Sequence, residues 1–120
     1  MLDHIGIAVA DYERSKAFFQ QALAPLGYRL LMEIEGWAGF GADDKPALWI
    51  IQANPAAPIH IAFRCPTRRA VDAFYHAALA AGGRDNGKPG LRPQYHENYY
   101  GAFVHDPDGN NIEAVCHEPE

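Results

Sequence analysis

The sequence predicts an α+β domain built from two βαβββ modules in tandem, and three observations carry that prediction. The first is an internal repeat. Sliding the chain over itself by 56 positions aligns the 25 residues from His4 with the 25 from His60 without a gap. Eight positions are identical: His4/His60, Ile5/Ile61, Ala17/Ala73, Phe18/Phe74, Ala22/Ala78, Leu23/Leu79, Ala24/Ala80 and Gly27/Gly83. Three of these are alanine pairs in an alanine-rich stretch and count for less. The second observation is a switch of apolar period, at the same point in both copies, from alternation to the helical repeat. The third is turn chemistry, which divides the residues after each helix into short strands.

Each repeat opens with a strand. DHIGIAVA places Ile5, Ile7 and Val9 on one face, and IHIAFRC does the same with Ile59, Ile61 and Phe63. The opposite faces carry His4, Gly6 and Ala8, or His60, Ala62 and Arg64. Asp11 and Thr67 are the expected helix N-caps, with Pro66 helping to end the second strand. Phe18, Phe19, Ala22, Leu23 and Leu26 form the apolar stripe of the first helix; Val71, Phe74, Tyr75, Ala78 and Leu79 form that of the second. Gly27 and Gly82-Gly83 supply the positive-φ stops. Strands are then expected at 28–35, 37–41 and 47–52, split by Gly36 and the turn Asp43-Asp44-Lys45-Pro46. In the second module, 84–91 is interrupted by glycine and proline, so its strand is expected to be short or irregular. Strands at 99–105 and 110–117 are joined by Asp106-Pro107-Asp108-Gly109. The modules span 1–53 and 59–120, with 54–58 as linker, in a single domain. About 60 residues apiece is too little for independent stability, so the halves are expected to share one core.

Composition narrows the function. The 120 residues carry a net charge of -5, which argues against nucleic acid or an anionic membrane as main partner. No apolar run approaches the ~20 residues that span a bilayer. The start MLDHIGIAVADYERSK lacks the basic-then-apolar order of a secretory leader, and two cysteines are too few for a disulfide scaffold. A soluble, reduced, cytoplasmic domain is expected.

Two histidines at equivalent places in two repeats invite a chemical reading. Each projects from the less crowded face of its strand. The closing hairpin offers a carboxylate: with the turn centred on Asp108, Phe103 faces Glu113, and Tyr99 and Gly101 share that side. Glu113 sits between Ile112 and Ala114, and a carboxylate in mid-strand is costly to bury unless a cation or donors lie beside it. The plainer alternatives are satisfied strand histidines and a glutamate on a wet face. Two imidazoles and a carboxylate suit Zn, Fe, Mn, Ni or Co, and three protein ligands leave positions open for substrate.

The start LDHIGIAVADYERSKAFFQQALAPLGY, the middle IHIAF and the end FVHDPDGNNIEAV resemble the vicinal oxygen chelate superfamily of glyoxalase, extradiol dioxygenase and fosfomycin- or bleomycin-resistance proteins. The resemblance runs the length of the chain. It implies the glyoxalase/bleomycin resistance/dioxygenase fold, a curled mixed sheet around a metal-bearing cavity. It further implies one divalent metal ion held by His4, His60 and Glu113, and a homodimer, which in several members draws ligands from both chains.

Departures from the pattern bear on activity. Glyoxalase I takes a fourth ligand from the last strand of the first module, where this chain has Trp49 or Ile50, neither of which can ligate. The tyrosine that some members carry three residues before the turn aspartate is Phe103 here. Extradiol dioxygenases carry an extra histidine in the second module, for which His96 is the candidate and the one catalytic side chain expected. Trp49, Phe103, Tyr95 and Tyr99 are expected to line a substrate pocket. Arg64 shares the parity of His60 and would meet an anionic group. Residues 91–98 read as a loop over the cavity mouth. Trp37 and Tyr100 are expected as core or dimer contacts, His76 and His105 as solvated residues, and Cys65 and Cys116 as small buried hydrophobes. The resulting expectation is a metal-dependent lyase or isomerase whose metal chelates vicinal oxygens of a small anionic substrate. An Fe(II) extradiol-type dioxygenase and a non-catalytic antibiotic-type binding protein are the alternatives.

Overall fold

In the computed structural model, which describes residues 1–55 and 57–120, the repeat becomes two copies of one topology. Ala56, inside the expected linker, lies outside the described residues. The first module comprises β1 (Ile5–Val9), α1 (Tyr12–Ala22), a 3-10 turn (Ala24–Leu26), β2 (Arg29–Ile34), β3 (Trp37–Gly41) and β4 (Leu48–Gln52). The second comprises β5 (His60–Arg64), α2 (Arg68–Ala80), β6 (Arg84–Leu91), β7 (Tyr100–His105) and β8 (Asn111–Cys116). Strand orders are β1-β4-β3-β2 and β5-β8-β7-β6. The pairs β1/β4 and β5/β8 are parallel and the remaining pairs antiparallel.

The caps lie where the side chains demand them. Asp11 Oδ1 accepts from the Arg14 N–H at 3.2 Å, and Thr67 Oγ1 accepts from the Ala70 N–H at 3.1 Å. Each answers one of the unpaired amide donors of a helix start. Gly27 and Gly82 take φ values of 86° and 98°, the left-handed stops that follow the helical segments.

Alternation gives each sheet one buried face. Ile7, Val9, Ala38, Phe40, Leu48 and Ile50 of the first sheet share a single core with Phe63, Ala102, Val104, Ile112 and Ala114 of the second. Phe18, Phe19, Val71, Phe74 and Ala78 on the helices fill the same core, each fully buried. Burying each of the large side chains contributes about 1.5–3 kcal/mol. Cys65 and Cys116 are buried free thiols within it. The modules meet where α1 approaches the end of α2: a Cβ added to Gly83 would stand 2.7 Å from Phe18 Cε1.

β6 is irregular, as expected, but not short. It is eight residues long, and it accommodates its glycines and proline with register shifts at Asp85/Gly87 and Gly87/Gly90 rather than by ending early. The turn before β8 is pinned by Asp106, which accepts from the Asp108 N–H, the Asn110 N–H and Asn110 Nδ2 at 3.0, 2.7 and 2.9 Å. Asn110 Oδ1 in turn accepts from the Ile59 N–H at 2.9 Å, which fixes the residue before His60. Asp108 reaches across to the first module, accepting from the Ala10 N–H at 3.1 Å.

The sheet faces turned away from the helices differ. On the first, Gly6, Trp49, Gly39 and Met32 form one cross-strand row, and Ala8, Ile51, Trp37 and Ile34 the next. Met32, Ile34 and Trp37 are 47%, 61% and 46% exposed, a largely apolar surface. On the second sheet, Ala62, Glu113, Phe103 and Gly87 form the matching row. Among the described residues, no helix is long and apolar enough to cross a membrane.

Candidate metal centre

The second sheet assembles a wired histidine–carboxylate pair. His60 Nδ1 lies 2.9 Å from the Asn111 carbonyl oxygen. A carbonyl only accepts, so Nδ1 carries the hydrogen and the neutral ring presents a bare Nε2 lone pair. That Nε2 stands 3.1 Å from Glu113 Oε1, on a carboxylate that is 1% exposed. The register Phe103↔Glu113 puts the Phe103 ring beside the carboxylate, and the His60 ring stacks on it at 6.3 Å.

The other carboxylate oxygen is held by Tyr99, whose hydroxyl donates to Oε2. Burial, then that bond and the adjacent negative charge, push the Tyr99 hydroxyl well above its ordinary range, so it remains a donor. Gly101 makes the contact possible: a Cβ there would lie 3.2 Å from both Glu113 Oε2 and Tyr99 Cε1. The loop before Tyr99 packs edge to face against its ring, with Tyr95 at 4.9 Å and His96 at 5.3 Å between ring centroids. His96 also stacks at 4.6 Å on His117, a neighbour that sequence reasoning missed.

Two lone-pair atoms facing each other need a cation or a proton between them. Ligands about 2.1 Å from a common ion and at right angles to each other are about 3 Å apart. The 3.1 Å between His60 Nε2 and Glu113 Oε1 matches that spacing. The donor set fits a divalent ion.

His4 is wired in the same manner but stands elsewhere. Its Nδ1 lies 2.7 Å from Asp3 Oδ2, again leaving Nε2 for ligation. Lys45, 2.6 Å from the same oxygen, and then His4 hold the Asp3 carboxyl below its ordinary range. β1 and β5 lie alongside each other in opposite senses: His4 and Ile5 share a groove with Ala62 to Arg64, and Ala8 shares one with Ile59 and Asn110. His60 does not line the groove of His4, and the two histidines sit toward opposite ends of that seam. Among the described residues, no three His, Cys, Asp or Glu side chains converge.

The remaining expected residues divide between these two places. Tyr95, His96, Tyr99 and Phe103 gather at the His60–Glu113 pair. Arg64 is exposed and lines the groove of His4, away from that pair. Trp49 belongs to the first sheet, where it pairs with Gly6 and Gly39 as Glu113 pairs with Ala62 and Phe103. This register decides between Trp49 and Ile50, since Ile50 is fully buried in the core. Trp37 is half exposed on the open face, 6.3 Å from Trp49 between ring centroids. A cavity of about 600 Å³ between the start of α1 and the β2–β3 turn is lined by none of these residues.

A doubled βαβββ topology with a histidine–carboxylate pair on its open face defines a class, and comparison by sequence agrees with it. The sequence model of the Glyoxalase/Bleomycin resistance protein/Dioxygenase superfamily matches residues 1–114, and the chain belongs to that superfamily. Among solved structures, it is similar to a glyoxalase/bleomycin resistance protein from Albidiferax ferrireducens T118, with 28% identity, a TM-score of 0.85 and 99% of each chain covered. A glyoxalase/bleomycin resistance protein/dioxygenase family enzyme from Burkholderia phytofirmans PsJN has 20% identity and a TM-score of 0.74, over 97% of this chain and 98% of that one. A lactoylglutathione lyase from Agrobacterium tumefaciens shares the fold at 15% identity and a TM-score of 0.72, over 97% of this chain and 92% of that one. No curated protein matches the sequence.

Proposed function

We propose that the chain is a small metal-dependent enzyme of lyase or isomerase type, acting on a small molecule with vicinal oxygens, and that a second copy of the chain completes its metal centre. The observation that carries the reading is the 3.1 Å approach of His60 Nε2 to Glu113 Oε1, with the far atom of each group already satisfied by Asn111 and Tyr99. A divalent ion bound there supplies Lewis-acid polarisation of the substrate oxygens. Tyr99 keeps the carboxylate aimed, Phe103 and Tyr95 offer flat surfaces to a planar substrate, and His96 at the mouth takes up or returns a proton.

Completion by a second copy follows from what one chain leaves apart. His4 carries the same Nδ1 wiring as His60, yet it stands on the other sheet. The open face it shares with Trp49 also bears the exposed Trp37, Met32 and Ile34, an apolar surface suited to burial against another copy. A two-fold dimer that laid this face over the second sheet of the other copy would bring His4 to His60 and Glu113.

The test is metal stoichiometry, melting temperature and sedimentation for the wild type and for His4→Ala, His60→Ala and Glu113→Gln, with and without a chelator. Each variant is expected to lose the ion while keeping its fold, and stability to fall by about 2.7 kcal/mol if the metal was at 100 times its Kd. Mixing the His4→Ala and His60→Ala proteins should restore part of the binding, because each mixed dimer rebuilds one complete centre. A wild type that binds no divalent metal would leave a non-catalytic small-molecule binder as the better reading. A monomer that binds metal, or a mixture that recovers none, would overturn assembly across copies.

A further inference from the structure

Next to the proposed centre, a positive group is seated that forms no salt bridge with any described residue. Arg92 follows β6, its backbone N–H donating to the Tyr99 carbonyl at 2.7 Å, so the residue is anchored before its side chain begins. The guanidinium lies 5.4 Å over the Phe103 ring, and Phe103 pairs across the sheet with Glu113. One amino group, Nη2, donates to the Lys88 carbonyl at 2.7 Å.

The register shifts of β6 make its seat. A Cβ at Gly87, whose φ is 150°, would stand 2.9 Å from Phe103 Cδ1 and 3.4 Å from Arg92 Nη2; one at Gly90 would stand 3.1 Å from Nη1. A side chain at Gly87 would press on the Phe103 ring, and one at Gly90 would crowd the guanidinium. Among the described residues, Arg92 makes no salt bridge, and Lys88 is its only side-chain hydrogen-bond partner. The open donors border a cavity of about 320 Å³ lined by Asn86, Gly87, Arg92, Tyr95, Phe103 and Asn111. Asn111 borders it with its side-chain oxygen turned out of reach, buried and without a donor among the described residues.

We infer that this cavity is the specificity pocket of the proposed centre and that Arg92 there binds a carboxylate carried by a planar substrate. The inference rests on the metal-enzyme reading for its place beside the reacting atoms. It also replaces Arg64, which lines the other groove, as the anion-binding side chain. A planar guanidinium with free paired donors matches a carboxylate edge-on, and the aromatic walls accept the flat body behind it. Among the described residues lining the cavity, Arg92 is the only cation and none belongs to a helix start, which favours a single negative charge over the double charge of a phosphate.

The experiment titrates chelator-treated, metal-free full-length protein with benzoate, its neutral counterpart benzamide and inorganic phosphate, followed by the amide NMR signals of Gly87 and Gly90. Benzoate should bind about tenfold or more tightly than benzamide, the worth of one charge-assisted bond. Arg92→Met, which keeps the aliphatic stem on Phe103, should abolish that preference at unchanged melting temperature, and Arg64→Met should leave it intact. Equal affinity for benzoate and benzamide, absence of benzoate binding, a preference surviving in Arg92→Met, or tighter binding of phosphate would each overturn the inference. Because the titration contains no metal, failure to load the ion sinks only the enzyme reading, and failure to bind benzoate sinks only this one.

Discussion

Trp49 occupies in the first sheet the position that Glu113 occupies in the second. Each lies on the strand that pairs in parallel with the module's first strand, opposite the residue two beyond the repeated histidine. The neighbouring strand completes the exchange, with Gly39 beside Trp49 where Phe103 stands beside Glu113. A Cβ on Gly39 would lie 3.0 Å from two carbons of the indole, so the glycine is what gives the tryptophan its room. One module has kept a histidine and an aromatic wall, the other a histidine and a carboxylate.

That exchange suggests a gain of function. Trp49→Glu places a carboxylate at the position equivalent to Glu113, on the face that bears His4. If the centre forms between copies, a fourth ligand should tighten metal binding by about tenfold, about 1.4 kcal/mol. Competition against a coloured chelator measures it, and unchanged affinity would place Trp49 away from the ion.

Removing the hydroxyl that holds the carboxylate should act in the opposite direction. Tyr99→Phe leaves Glu113 Oε2 without its donor while keeping the ring against Tyr95 and His96. Partners of ligating groups are typically worth about 10–100-fold in metal affinity, and a loss of that order is expected. A variant with wild-type metal affinity would mean that the bond is structural only.

Gly83→Ala probes the seam between the modules. The added methyl meets Phe18 Cε1 at 2.7 Å and the Ala78 carbonyl at 2.9 Å, and Phe18 is fully buried with no room to swing away. Overpacking of this kind costs about 1–3 kcal/mol. Denaturant unfolding should show one transition at a lower midpoint, and a stabilised protein would contradict the packing described.

Alkaline pH should loosen the fold in stages. Burial pushes the Cys65 thiol up to about 11 from an ordinary 9.0. Between those values the unfolded chain has released a proton that the folded one still holds, so this contribution is complete below pH 9.0 and is lost by about 11. Tyr12 and Tyr100 are raised from 10.0 to about 12 by burial and by their bonds to Glu33 and Asp72, and they extend the decline. Melting temperature should fall from about pH 9 upward, less steeply in Cys65→Ala between pH 9.0 and about 11. A flat profile across that range would show that the thiol is not insulated from solvent.

Much of the fold was legible because its determinants are local. The repeat, the caps at Asp11 and Thr67 and the hairpin arithmetic that set Phe103 opposite Glu113 depend on spacing and turn chemistry alone. The separation of His4 from His60 was not legible, since strand parity says which face a residue takes but not how two modules lie against each other. Arg92 was hidden for a related reason. Its seat depends on the bulged register of β6, and a segment broken by glycine and proline reads as irregular whether or not it builds a pocket. The choice between Trp49 and Ile50 turned on one residue in a turn, which only the observed pairing resolves.

The Asp108 carboxylate closes the junction of β1 and α1, accepting from the Ala10 amide 98 residues earlier and from the Ser15 hydroxyl 93 residues earlier. On the ribosome the start of the chain must therefore wait for its partner. At about 5–20 residues per second, that delay is about 5–20 s after Ala10 has been joined. Until α2 (Arg68–Ala80) has been joined, α1 has nothing of the second module to lie against, and Phe18 and Phe19 face water or whatever apolar surface arrives first. Nascent chains crowded on one message would thus meet each other with these rings bare, so the rate of translation through the second module sets how long the chain is open to sticking to a neighbour.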